Sequence, residues 1–162
     1  MPNAHLATYL NDHLAGAVGA LQLLAHLKAA HAGTALEPVL TEVHAEVAAD
    51  REELEALMAR LQIAESRPRQ ATAWLAEKTT QIKLLLDDPS GGPLRLLEGL
   101  EAVAIGIEGK QALWRSLAAV AADVAGLQGV DYERLQQRAQ EQQQRVEVMR
   151  LDAAKAALTD AS

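Results

Sequence analysis

Apolar residues recur at intervals of three and four along nearly the whole chain, which is the period of an α-helix. The first of these stripes predicts a helix that begins near Asn3 and ends at Gly33, because glycine favours helix C-termini. A second stripe runs from Leu36 to Leu61. The pattern therefore predicts two long helices in the first part of the chain.

The second part of the chain repeats this arrangement. A third helix is predicted to open after Pro93 and to close near Gly126 and Gly129. Asp131 has the residue type and position of an N-cap for a fourth helix, which continues past Ala153.

The segment from Gln62 to Gly92 separates the two pairs of helices. It contains a shorter amphipathic stretch through Trp74, Ile82 and Leu85. We therefore expect residues 1–162 to form a single all-α domain, a four-helix bundle with a long crossover at about 62–92. A helical repeat array is the alternative, but the segments are unequal in length.

Composition narrows the classes of function. The 162 residues are 49% apolar and have a net charge of −7, with no cysteine and no phenylalanine. The absence of cysteine excludes disulfides, thiolate nucleophiles and zinc fingers. The acidic balance argues against nucleic acid or an anionic membrane as a partner. The N-terminal segment lacks the pattern of a secretory signal, and we expect a cytoplasmic protein with no membrane span.

Three segments resemble the bacterioferritin-type members of the ferritin-like family. Residues 9–14 (YLNDHL) resemble the opening of the first helix, 50–58 (DREELEALM) the latter half of the second, and 105–110 (IGIEGK) the third. The resemblance spans most of the chain and implies a ferritin-like bundle, whose connectivity includes one long crossover.

The same resemblance implies that the two-metal site of this family is missing. Members that bind iron or manganese use a Glu from each of two helices and Glu-x-x-His from each of the other two. None of the five histidines here has a Glu three residues earlier, and none follows His44. The matching positions are Ala17, Val47, Asp50, Gly106, Ala139 and Gln142. We therefore expect a bundle without cofactor.

Polar residues interrupt the apolar stripes at similar depth. They are His13, Asp50, Lys110 and Gln142. If Asp50 and Lys110 both point inward, they can pair where metals would otherwise lie, with Gln142 and His13 completing the hydrogen bonds. The alternative is that Lys110 extends to the bundle edge and Asp50 occupies a boundary position.

Small residues cluster at the same level and are candidates to line a pocket. They are Gly16, Ala17, Gly106 and Gly109. Glycine within a helix costs about 1 kcal/mol relative to alanine, so its presence needs a reason. Close helix approach, a kink, or a small pocket for an apolar or amphipathic ligand would each supply one.

Catalytic motifs are missing from the sequence. It has neither Gly-x-Ser-x-Gly nor a phosphate-binding glycine loop. An unorthodox metal site remains as an alternative, and its ligands would be His13, Glu46, Asp50 and Glu108.

The sequence thus favours a metal-free, non-catalytic structural or protein-interaction module. The alternatives are a metal-dependent oxidoreductase or iron-handling protein, and a small-ligand carrier. Trp74 and Trp114 are the large apolar anchors, and either would mark a contact surface if exposed. A homodimer is expected because two-fold dimers are the commonest soluble assemblies.

Overall fold

The computed structural model describes residues 3–66 and 92–159, and these residues form helices and no strands. The four long helices are α1 (Ala4–Ala30), α2 (Leu36–Arg60), α3 (Gly92–Val120) and α4 (Tyr132–Thr159). A short 3-10 turn, Ala125–Leu127, lies between α3 and α4. The all-α, four-helix prediction is confirmed for this part of the chain. The expected crossover helix, with Trp74, lies outside it.

The helix ends follow local signals in the sequence. The side chain of Asn3 accepts a hydrogen bond from the His5 backbone N–H at 2.9 Å. Asp131 does the same for Arg134 at 2.9 Å at the start of α4. Gly33 has a φ of +77°, a left-handed conformation that glycine adopts at little cost just beyond a helix.

The core consists of two apolar clusters, one in each half of the bundle. The first joins the end of α1, the start of α2, the start of α3 and the end of α4, around Leu24, Leu40 and Leu100. The second joins the opposite helix ends, around Leu10 and Trp114. Each helix therefore contributes to both clusters.

This distribution defines the directions of the helices. α2 ends in the second cluster, whereas α3 begins in the first, so α2 and α3 run in the same direction. α1 packs against α2 and α3, and α4 packs against α3 and α2, which makes α1 and α4 diagonal neighbours. None of the described helices has the length and apolar character needed to cross a lipid bilayer.

Candidate ligand-binding cavity and central polar cluster

A buried carboxylate lies between the two apolar clusters. Asp50 on α2 is 2% exposed. Its Oδ2 atom accepts a hydrogen bond from Lys110 Nζ on α3 at 2.5 Å. Its Oδ1 atom accepts from Arg138 on α4, through Nε at 2.8 Å and also through the Nη2 group. One carboxylate thus faces two cations from two different helices.

Gln142 completes this network one helical turn after Arg138. The Gln142 side chain is fully buried, its Nε2 donates to Asp50 Oδ2 at 3.1 Å, and its Oε1 accepts from Lys110 Nζ. The central cluster is hereafter the set Asp50, Lys110, Arg138 and Gln142. Because every member bonds to another, the cluster meets the main condition for burying polar groups.

The charges around the central cluster are unevenly matched. Burial lowers the pKa of the Lys110 ammonium, and the nearby Asp50 carboxylate opposes that shift. Glu46, one turn before Asp50, pairs with Arg145 at 2.5 Å and is neutralised there.

Beside the central cluster is a cavity of about 310 Å³ between α1, α2 and α3. Asp50 and Lys110 form part of its wall. The four small residues identified in the sequence, Gly16, Ala17, Gly106 and Gly109, all line it as well. The cavity reaches the surface between α1 and α3, where Gly16 and Ile105 are exposed.

The glycines on this wall face free space. A Cβ atom added at Gly16 or Gly109 would meet nothing within 4 Å, and one at Gly106 would only touch Ala20 at 3.9 Å. Gly99, further along α3, differs because an added Cβ would lie 3.0 Å from Leu27 Cδ2. Close helix approach therefore explains Gly99, whereas the cavity glycines leave a volume open.

Trp114 contributes an unsatisfied polar atom to this region. Its side chain is 1% exposed and lines the cavity, so it is not a surface contact anchor. Its Nε1 is buried and has no hydrogen-bond partner among the described residues. A buried indole N–H normally has an acceptor, so this donor needs a partner.

His13 lies on the cavity wall and outside the central cluster. Its ring packs edge-on against Tyr9 with the ring centroids 4.6 Å apart. Within the described ranges it makes no hydrogen bond to the central cluster, where the sequence had placed it. Burial lowers the pKa of the His13 imidazole, with the Asp12 carboxylate acting in the opposite direction.

The unorthodox metal ligands do not come together. Asp50 bonds to Lys110 and Arg138, Glu46 pairs with Arg145, and Glu108 pairs at the surface with Arg115. The described part of the chain contains no group of three or more histidine, aspartate or glutamate side chains able to hold a metal ion. His13, Glu46, Asp50 and Glu108 therefore do not form the metal site that the sequence offered as an alternative.

Two features of the site were missed in the sequence. Arg138 lies one turn before Gln142, so both fall on the same face of α4, and that spacing was the available signal. The isolated indole N–H of Trp114 had no signal of this kind, because it depends on what packs around the ring.

Over residues 3–66 and 92–159, these features define an all-α arrangement of four long helices with a buried ion-paired cluster beside a cavity. Comparisons of the chain with family models, with curated proteins and with solved structures found no significant match in any of the three.

Proposed function

We propose that this protein is a non-catalytic, metal-free, ferritin-like bundle that binds a small ligand in the cavity between α1, α2 and α3. The observation that carries the proposal is the cavity itself, whose wall includes the half-buried Gly109, where an added Cβ atom would meet nothing within 4 Å. A volume of about 310 Å³ is at the lower end of the range typical of small-molecule sites.

The helix directions support the ferritin-like part of the proposal. Parallel α2 and α3, with α1 and α4 on a diagonal, match a bundle with one long crossover after the second helix. The central cluster lies midway between the two apolar clusters, at the level where the sequence resemblance places metal ligands. Ion-paired and amide side chains take those positions here.

Binding without chemistry is favoured by the state of the polar groups. The Asp50 carboxylate is saturated by Lys110 and Arg138, so it is not free to act as a base or a ligand. We also propose a cytoplasmic location, since a chain with no cysteine has no disulfides that require an oxidising compartment.

The proposal is tested by filling the cavity with a larger side chain. Ala17→Leu adds a branched side chain to the cavity wall, and Ala25→Leu adds the same atoms to an exposed position on the same helix. Titration calorimetry with 1-octanol and with octanoate should detect binding to the wild type and to Ala25→Leu. Binding should be lost in Ala17→Leu. Equal binding of the probes by both variants, or none by the wild type, would contradict the proposal.

A second candidate function, self-association, rests on an exposed apolar face of α4. Val148, Leu151 and Leu158 are 63%, 46% and 69% exposed. The exposed Asp152 and Lys155 flank this face with opposite charges. In an antiparallel two-fold contact, Asp152 of one copy would lie near Lys155 of the other.

Light scattering after gel filtration tests the dimer. We expect a dimer for the wild type and a monomer for Leu151→Glu, while Val120→Glu on α3 should remain dimeric. A monomeric wild type at about 100 μM, well above the Kd of a stable dimer, would exclude this second role.

A further inference from the structure

We propose that the ligand is an apolar monocarboxylate whose carboxylate binds at Lys110 and Trp114. This inference rests on the proposed function, because it assumes that the cavity is occupied by a small molecule. It assigns the charge of that molecule, which the open volume alone does not define.

The central cluster has more positive than negative charges. Asp50 supplies one negative charge, whereas Lys110 and Arg138 supply two positive charges. The two cations share this one carboxylate, because Arg138 contacts Oδ1 and Lys110 contacts Oδ2. Of the two cations, Lys110 is the one on the cavity wall, and its side chain is only 13% exposed.

The carboxylates around the cavity have partners of their own or lie on another helix. Glu46 pairs with Arg145 at 2.5 Å, and the same guanidinium contacts Glu42 at 3.6 Å, while Arg51 on the cavity wall pairs with Glu55 at 2.6 Å. Asp12, also on the wall, is half-buried on α1 beside His13. Because Lys110 shares the Asp50 carboxylate with Arg138, an anion in the cavity would give Lys110 a counterion of its own.

Lys110 and Trp114 have hydrogen-bond donors that the described residues do not use. Lys110 donates to Asp50 and to Gln142, and a protonated lysine has one more N–H than those two bonds use. Trp114 Nε1–H has no partner in the described residues. The buried acceptors in the same place, both oxygens of Asp50 and the oxygen of Gln142, are already occupied. The site therefore offers donors and needs an acceptor.

The rest of the cavity wall is largely apolar. Leu24, Val103 and Ile107 face the cavity together with the glycine and alanine positions. An apolar cavity of about 150 Å³ holds benzene, so a volume near 310 Å³ suits a medium-length alkyl chain or a two-ring group. In a ligand with a carboxylate at one end, the carboxylate would accept hydrogen bonds from the two donors, and the apolar remainder would pack against the wall.

The experiment compares three probes with one chain length and different head groups. Titration calorimetry at pH 7.5 would use octanoate, 1-octanol and octylamine with the wild-type chain. We expect octanoate to bind more than about tenfold tighter than octanol, as expected for a charge-assisted hydrogen bond, and octylamine to bind most weakly.

Variants connect that preference to the two donors. Lys110→Met should reduce the affinity for octanoate to that for octanol, and Trp114→Phe should weaken octanoate binding several-fold while keeping the aromatic ring. Arg115→Met, which removes an exposed cation from the same helix, should leave the preference unchanged. Circular dichroism of each variant confirms that it is folded before the titration.

The outcomes separate this inference from the proposed function. If octanol and octanoate bind the wild type equally, or octylamine binds tightest, the carboxylate assignment is overturned and the ligand-binding role stands. If the preference for octanoate persists in Lys110→Met, the assigned donor is wrong. If none of the probes binds, both proposals fail.

Discussion

Asp50 has a different partner on each of two neighbouring helices, and this distribution determines what happens when one partner is removed. Arg138 and Gln142 remain bonded to Asp50 when Lys110 is lost. When Asp50 is lost, Lys110 and Arg138 are left together without a carboxylate. Loss of Asp50 and loss of Lys110 therefore have unequal effects on stability.

We predict that Asp50→Leu destabilises the protein by about 3–5 kcal/mol, because it leaves buried cations unpaired. Lys110→Met should cost only about 1–2 kcal/mol, since it breaks hydrogen bonds without isolating the carboxylate. The double variant should be more stable than Asp50→Leu, because it leaves one cation without a carboxylate instead of two. Urea denaturation of the three variants measures the cycle, and additive effects would contradict the coupling.

His13 predicts a pH dependence of stability. Because burial lowers its pKa, the folded protein binds this proton more weakly than the unfolded chain, whose histidine pKa is about 6.5. The contribution of His13 to the free energy of unfolding is therefore fully present above a pH of about 6.5. It decreases as the pH falls from there towards the lower pKa of His13 in the folded protein. Between pH 7.5 and 5, His13→Gln should lose less stability than the wild type.

The control for this measurement is His5→Gln, since His5 is exposed near the start of α1. Its urea denaturation should follow the wild-type pH dependence. If His13→Gln and the wild type lose equal stability on acidification, the burial of His13 contributes nothing to the pH dependence.

At the scale of elements, α1 and α3 contain glycines that lower their helix propensity, and the cavity gives a reason for these glycines. Gly16 and Gly109 lie within these helices and have no neighbour where a side chain would be. Selection for stability alone would favour alanine at such positions. Glycine there preserves volume at the expense of helix stability.

We predict that Gly109→Ala raises the free energy of unfolding by about 0.5–1 kcal/mol, because alanine loses less backbone entropy in a helix and meets no atom. Gly99→Ala should gain less or lose stability, since Leu27 Cδ2 must move from 3.0 Å. Thermal denaturation of the two variants checks this, and an equal gain from both would contradict the distinction. Gly109→Ala should also weaken octanoate binding by narrowing the cavity.

At the scale of the whole molecule, two apolar clusters are separated by a polar layer, yet every long helix passes through both. Neither cluster can lose its packing without disrupting helices that also build the other. This arrangement favours one cooperative unit rather than two independent halves.

We therefore predict a single unfolding transition for the chain. Helix content by circular dichroism and near-ultraviolet signals from the aromatic residues should change at the same urea concentration, and the calorimetric and van't Hoff enthalpies should agree. Two separate transitions would show that the polar layer divides the bundle. In that case residues 1–162 would not behave as one cooperative domain.

The helices and several of their ends were determined by the sequence, because helical periodicity and capping are local properties. The end of α3 was predicted wrongly, since the helix ends at Val120 and not near Gly126 and Gly129. The stripes through Leu36–Leu61 and Asp131 gave α2 and the start of α4 to within a residue. The same stripes included Asp50 and Gln142 but left open whether Asp50 points inward or lies at a boundary, and the structure buries both side chains. A one-dimensional pattern shows which face of a helix is apolar, and that face is the one that becomes buried.

Only the tertiary structure decided which side chains of different helices contact one another. It placed Arg138 on Asp50, left His13 outside that network, and kept Glu108 at the surface beside Arg115. It also showed that the small residues line a cavity, and that an added Cβ atom at Gly16 or Gly109 would meet no atom within 4 Å. These outcomes depend on the relative rotation and separation of packed helices, which hydrophobic periodicity does not encode because it is a property of each helix alone.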